Sequence, residues 1–280
     1  MQVFREASAI RQYVNNLRHK RRSVGFVPTM GALHQGHMSL IESALDANDF
    51  AVLSIFINPT QFNKAEDLKN YPRNLEADLA RVQHYPNLVC FTPSQQEIYG
   101  DEVQAEHFEL GSLAEDLEGC FRPGHFQGVA TVVKRLLNIV NPHNAYFGEK
   151  DYQQLKVIER LVQLLHLPVN IVGVPIVRKP SGLAISSRNA LLSEQGKKEA
   201  LLIYRCLQEA RKRCGKQSVT EIVTYVEQQF EASPLSLEYV KIADNQTLHI
   251  IHSWKEATSA RLFIAAYCES VRLIDNERLF

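Results

Sequence analysis

The chain has 280 residues, enough for one large domain or two of ordinary size, and 45% hydrophobic with 22% charged residues is the make-up of a soluble globular protein, which excludes a disordered chain. The 31 basic and 31 acidic residues cancel, so no global field draws the chain to nucleic acid or an anionic membrane, and any phosphate binding must be local. Cys90, Cys120, Cys206, Cys214 and Cys268 are odd in number and form no C-x-x-C pair, which argues for reduced thiols over a disulfide frame or zinc ribbon. Met1 to Glu6 lacks the apolar core of a secretory signal, and no apolar run approaches the ~20 residues that span a bilayer. A cytoplasmic protein is expected.

Phe4, Ala7, Ile10, Tyr13, Val14 and Leu17 follow helical spacing and predict an amphipathic helix over 4–20, closed by the basic run Arg18 to Arg22 that complements a helix dipole. Val24 to Val27 reads as a strand. It runs into Pro28-Thr29-Met30-Gly31-Ala32-Leu33-His34-Gln35-Gly36-His37 and then a helix to about Asn48. Strand, glycine turn and helix start aim unpaired backbone N–H groups and the positive end of a helix at one place, which suits phosphate. His34 and His37 share a helical face, and Gly36 between them leaves room for a ligand. The same spacing fits polar surface, or the start of a zinc site whose other ligands lie elsewhere.

Ala51 to Ile57 is a nearly continuous apolar run, as a parallel strand covered on both faces requires, and it stops at Asn58-Pro59-Thr60-Gln61-Phe62. Ligands in open α/β sheets gather beyond the carboxyl ends of strands, so Asn58 and Gln61 would stand beside the histidine turn if the two strands are neighbours. A helix over 74–85 and a strand over 88–91 continue the alternation of a doubly wound sheet. The stretch 92–127 is less regular and ends in Phe121-Arg122-Pro123-Gly124-His125, which fits either a plain turn or a grip on a carboxylate or phosphate.

A helix with a broad apolar face follows over 128–140, then a strand at 145–147 that ends in Gly148-Glu149-Lys150-Asp151 before a helix over 151–165. Lys150 is placed as a point charge for phosphate, and Asp151 can cap that helix. After a strand at 169–174 comes a break at Arg178 to Gly182, then Ile185-Ser186-Ser187-Arg188-Asn189, whose hydroxyls and guanidinium suit phosphate oxygens or simply cap a helix. From Ser193 two helices, 194–214 and 218–231, precede strands at 237–242 and 261–267. The expected fold is α/β: a Rossmann-like doubly wound parallel sheet over 1–176, with a smaller C-terminal α+β domain over 177–280.

Five segments together resemble the pantothenate synthetase (pantoate-β-alanine ligase) family, whose pattern includes P-T-M-G-x-L-H-x-G-H, F-[VI]-N-P-x-Q-F, R-P-G-H-F-x-G-V, F-G-x-K-D-x-Q-Q and G-L-A-x-S-S-R-N. They stand here at 28–37, 56–62, 122–129, 147–154 and 182–189, and the likeness covers essentially the whole chain. The first pattern is shared with many nucleotidyltransferases and class I aminoacyl-tRNA synthetases; the set is highly specific. The resemblance implies ATP-dependent condensation of (R)-pantoate with β-alanine to pantothenate through a pantoyl adenylate, releasing pyrophosphate and AMP.

By the same resemblance Met30, Gly31, Ala32, Leu33, His34, Gln35, Gly36 and His37 would line the ATP site. Gly148, Glu149, Lys150 and Asp151 would join them, with Val177, Ile185, Ser186, Ser187 and Arg188. Gln61 and Gln154 would bind pantoate, Gln61 near the β-alanine site as well, and Asn58 would assist. The catalytic group would be His34, His37, Lys150 and Arg188. The family assigns His37 as proton donor; since the attacking carboxylate is already ionised, charge stabilisation of the pyrophosphate is the role expected of it. Mg2+ is implied with ATP. Relatives carry carboxylates where this chain has Glu76 and Asp78, at a spacing that is not identical, so no protein ligand is assigned to the metal. A homodimer is implied too, with 177–280 closing over ATP.

The nearest rival is another nucleotidyltransferase of the same superfamily, which would lack the paired amides Gln61 and Gln154. A dehydrogenase fits poorly because no G-x-G-x-x-G follows the first strand. A nucleotide sensor without catalysis is the third reading.

Overall fold

Six strands form one parallel sheet in the computed structural model, which describes residues 1–63 and 65–280. They are β1 (Gln2–Phe4), β2 (Val24–Thr29), β3 (Phe50–Ile55), β4 (Leu88–Phe91), β5 (Asn144–Gly148) and β6 (Asn170–Val174), in the spatial order β1-β4-β3-β2-β5-β6. The connecting helices are α1 (Ala7–His19), α2 (Gln35–Ala47), α3 (Ala65–Asn70), α4 (Leu75–Val82), α5 (Gln95–Tyr99), α6 (Glu118–Phe121), α7 (His125–Val140) and α8 (Tyr152–Leu164). Strand β2 has β3 on one side and β5 on the other, so the direction of winding reverses at β2. Carboxyl ends at such a reversal border the crevice where doubly wound folds bind ligands. The β2/β5 ladder covers only Gly25 with Asn144 and Phe26 with Ala145, whereas β2 and β3 pair along their whole length to Thr29 and Ile55.

Both faces of the sheet are covered, which is why its strands read as unbroken apolar runs. Met38, Ile41 and Ala44 recur at helical spacing on α2 and pack with Val27 and Leu53. The chain divides into two compact units: the first is Met1–Ala114, Glu118–Glu149 and Gln154–Pro175; the second is Glu115–Leu117, Lys150–Gln153 and Ile176–Phe280. The second unit thus takes in two short segments from before residue 177.

The second unit holds an antiparallel sheet β7 (Ser236–Asp244), β8 (Ala260–Cys268) and β9 (Val271–Arg278), in that order. Helices α9 (Glu194–Glu199), α10 (Leu201–Arg213) and α11 (Val219–Glu231) accompany it, and Leu207, Ile222 and Val226 join Ile242, Leu262 and Ile264 in its core. Where one helix over 194–214 is expected, two meet at Ala200.

Two strands escape the sequence reading for different reasons. Phe4, expected on the first helix, lies on β1, where Val3 pairs with Cys90; three residues are too few to show a period. In β9 the polar pair Asp275 and Asn276 is buried and interrupts the apolar pattern, because these residues serve Arg178 and Arg261.

Candidate functional site

The turn after β2 is held by its own side chains. Gly31 has φ +84°, and a Cβ there would meet Asp78 Oδ2 at 2.9 Å, so the first turn residue must be glycine. Ala32 follows with φ +51°, left-handed for a residue that has a Cβ. Asp78 of α4 spans this bend: Ala32 N–H donates to its Oδ2 at 2.9 Å and Leu33 N–H to its Oδ1 at 2.7 Å. Those two amides, which the sequence suggested would face phosphate, are therefore engaged by protein.

His34 and His37 close α2 with a reciprocal capping box. Gly36 N–H donates to His34 Nδ1 at 3.2 Å, and His34 N–H donates to His37 Nδ1 at 3.2 Å. The rings stack with centroids 4.0 Å apart and planes 28° from parallel. A neutral imidazole that accepts at Nδ1 carries its hydrogen on Nε2, so the box fixes both rings as Nε2–H donors. Both are half-buried, Gln35 is exposed, and the Leu33 side chain lies in the core.

Because β2 and β3 are neighbours, the amide loop after β3 lies next to this turn. Gln61, 8% exposed, donates from Nε2 to Met30 Sδ at 3.0 Å and accepts at Oε1 from Asn58 Nδ2, also at 3.0 Å. Asn58 is 1% exposed: its Nδ2 also donates to Gly128 O at 3.1 Å, and its Oδ1 accepts from Thr60 Oγ1 and Tyr99 OH. Its polar atoms are thus committed to protein, which makes it a support for Gln61. His125 Nδ1 bonds Gln61 O at 2.8 Å, and a Cβ on Gly128 would stand 2.2 Å from Thr60 O. The Arg-Pro-Gly-His segment is therefore what holds the amide loop. Tyr99, from the stretch read as irregular, carries no sequence signal for this role.

The fourth segment divides. Gly148, which ends β5, Glu149 just after it and the half-buried Gln154 of α8 fall in the first unit, while Lys150 and Asp151 belong to the second. There Asn276 Nδ2 donates to Lys150 O at 2.9 Å, and Arg261 binds Asn276 and Asn245 while lying 3.7 Å from the Tyr152 ring centroid. Lys150 Nζ sits 3.5 Å from Asp151 Oδ1 with its side chain 20% exposed. Val177 and Ile185 face each other across a short hairpin, Ile185 N–H donating to Val177 O at 3.0 Å. Ser186 and Asn189 then form a second capping box, with Ser187 and Arg188 inside it. Lys150, Ser186 and Arg188 line one surface depression within this unit, where Arg272 of β9 joins them. Arg272, on a strand the sequence did not reveal, is paired to Glu238 with Nη2 2.5 Å from Oε2.

Among the described residues no group of three or more His, Cys, Asp or Glu is arranged to hold a metal ion. Asp78 uses both oxygens on the turn, and Glu76 is exposed. These residues do not fit a protein-built Mg2+ cage.

A winding reversal flanked by paired imidazole donors and a buried amide loop defines an α/β enzyme of the H-x-G-H kind. The profile of the pantoate-beta-alanine ligase family matches residues 2–278. A pantothenate synthetase from Christiangramia forsetii is 46% identical over 99% of this chain and 98% of its own length, and one from Flavobacterium psychrophilum is 42% identical over 99% of each. The crystal structure of pantothenate synthetase from Thermus thermophilus superposes with a TM-score of 0.93 at 42% identity, covering 100% of both chains. That of the Francisella tularensis pantoate-beta-alanine ligase, complexed with beta-gamma ATP and beta-alanine, gives 0.83 at 36% identity over 100% of this chain and 98% of that one. The chain belongs to the pantoate-beta-alanine ligase family.

Proposed function

We propose that the chain joins pantoate to β-alanine using ATP, through an acyl adenylate. The pantoate carboxylate attacks the α-phosphorus and expels pyrophosphate; the β-alanine amine then attacks the activated carbonyl, and AMP leaves. In-line displacement at phosphorus asks for positioning and for donors where charge develops, and the Nε2–H groups of His34 and His37 supply such donors for the phosphate oxygens. Within the second unit Lys150 and Arg188 offer positive charge suited to phosphate oxygens, and Ser186 and Ser187 add hydroxyls. Mg2+ comes with ATP as its counter-ion.

The observation that carries this reading over a simple nucleotidyltransferase is the Gln61 amide beside the imidazole pair, bonded to Met30 Sδ at 3.0 Å and supported by buried Asn58. Pantoate presents hydroxyls as well as a carboxylate, and an amide can both donate and accept. Gln154 meets pantoate from the first turn of α8, and Asn58 positions Gln61. The assay is AMP formation from ATP with pantoate, which must depend on β-alanine; pyrophosphate release without AMP in the complete mixture contradicts the reading. Gln61→Ala is expected to raise KM for pantoate about three- to tenfold, as loss of a neutral hydrogen bond does, and to leave KM for ATP within about twofold.

A homodimer in a reducing, cytoplasmic setting belongs to the same proposal. All five cysteines are free thiols, and β6 is an outer strand with Ile171 and Val172 half-exposed, an edge that a second copy can cover. Light scattering at working concentration tests it: a monomer mass refutes the dimer. Among the described residues no helix is long and apolar enough to cross a membrane.

A further inference from the structure

Asp78 is 5% exposed, comes from a helix 45 residues beyond Leu33, and puts its carboxylate on the histidine turn. Its two oxygens each take one backbone N–H of that turn, at 2.9 Å from Ala32 and 2.7 Å from Leu33. One helical turn further on, Arg81 Nη1 donates to Leu33 O at 2.6 Å, so α4 grips the Leu33 backbone by both its donor and its acceptor. Asp78 lies near the start of α4, whose cap is Asn74, where the helix dipole favours its negative charge.

The conformation held in this way is one the chain would not keep alone. Ala32 at φ +51° is strained, and such a residue persists where its surroundings over-determine it. Two residues later the His34 N–H enters the capping box that fixes the His37 ring. A relaxed Ala32 would redirect the peptide that carries His34, and the box could not close.

We propose that Asp78 is the positioning residue of the histidine turn: by clamping Ala32 and Leu33 it sets the bend that lets His34 and His37 lock each other as Nε2–H donors. Its effect on the reaction rests on the phosphate role given to the imidazoles above; its effect on their tautomers does not. The clamp also explains the spacing from Tyr71-Pro72-Arg73 to this carboxylate, which must place Asp78 and Arg81 on one face of α4 opposite the bend.

The test uses the full chain labelled with 15N at histidine, comparing the native protein, Asp78→Asn and Asp78→Glu. Asparagine turns one acceptor into a donor that opposes a backbone N–H. The native protein should show fixed Nε2–H patterns for His34 and His37; in Asp78→Asn both should collapse to tautomer averaging, and pyrophosphate release in a single turnover should fall about 100-fold, as expected for roughly ångström-scale misplacement. Asp78→Glu, which keeps a carboxylate on a longer stem, should recover about tenfold of that loss. Asn48→Ala, a buried change at the far end of α2, serves as the control for instability: it should lower Tm and leave the histidine signals alone. Histidine patterns unchanged in Asp78→Asn overturn the proposal. Changed patterns with an unchanged rate support the clamp and remove the phosphate role from the imidazoles. If Asp78→Asn does not fold, hydrogen exchange in the native protein decides: the Ala32 and Leu33 amides must be protected, and rapid exchange at both overturns the clamp.

Discussion

The turn before α2 and the loop at Ser186–Asn189 are closed by the same device, a reciprocal capping box, and they use it differently. In the first the caps are His34 and His37, the very side chains that carry the proposed chemistry. In the second Ser186 Oγ accepts from Arg188 N–H at 3.3 Å and Asn189 Oδ1 from Ser186 N–H at 2.8 Å, so the caps frame the charged residue without including its guanidinium. Shape and proposed function thus rest on the same side chains in one loop and on different ones in the other. Placing both on one pair of imidazoles fixes a tautomer, which an amide or hydroxyl cap could not do.

The largest expected effect separates the two roles of the histidines. His34→Asn together with His37→Gln keeps acceptors suited to an N-cap and to the third helical position, so Tm should hold within a few degrees. Single-turnover pyrophosphate release should nevertheless fall by about 100- to 1,000-fold per donor lost. Equal activity in this double variant would mean that the imidazoles are caps alone. Arg188→Ala should lower the same rate by about 10- to 100-fold, the worth of a hydrogen bond to a charged group, with little change in stability because the box survives it. A matching fall in Tm would break the contrast between the loops. Ser186→Ala removes a cap and should cost about 1 kcal/mol in denaturant unfolding, with a far smaller loss of rate than Arg188→Ala.

The smallest effect comes from a third histidine. His143 Nδ1 accepts from Val24 N–H at 3.0 Å at the amino ends of the strands, away from the ligand crevice. Burial and then the Arg18 charge lower its pKa below the usual 6.5. Protons are therefore bound more readily by the unfolded chain, so this imidazole adds stability above about pH 6.5 that is lost as pH falls through the lower folded-state value. His143→Gln should flatten the dependence of Tm on pH between about 7 and 5 and leave turnover intact at about pH 7.5. A steeper dependence would contradict the assignment.

Local pattern made much of this legible. Apolar runs at Val24–Val27 and Ala51–Ile57 announced buried parallel strands, and Gly31 with the two histidines announced a bend into a helix start, because each depends on residues close in sequence. What stayed hidden depends on partners far away. Asp78 drew notice only beside Glu76 as a carboxylate weighed against the metal; its hold on the turn exists because α4 reaches it. Lys150 drew attention as a possible phosphate cation, yet its membership of the second unit follows from Asn276, which binds its carbonyl and whose burial beside Asp275 also disguised β9 as a polar segment. Arg122 and His125 read as a possible anion grip; His125 instead holds the Gln61 carbonyl, a contact between residues 64 positions apart.

The central claim is that the pantoate carboxylate itself attacks the α-phosphorus of ATP. Pantoate carrying 18O in its carboxylate tests it in one turnover with β-alanine and ATP. The account predicts that one labelled oxygen leaves in the phosphate of AMP, because the carbonyl–oxygen bond breaks when the amine attacks the adenylate. Unlabelled AMP, or label recovered in inorganic phosphate, would contradict it.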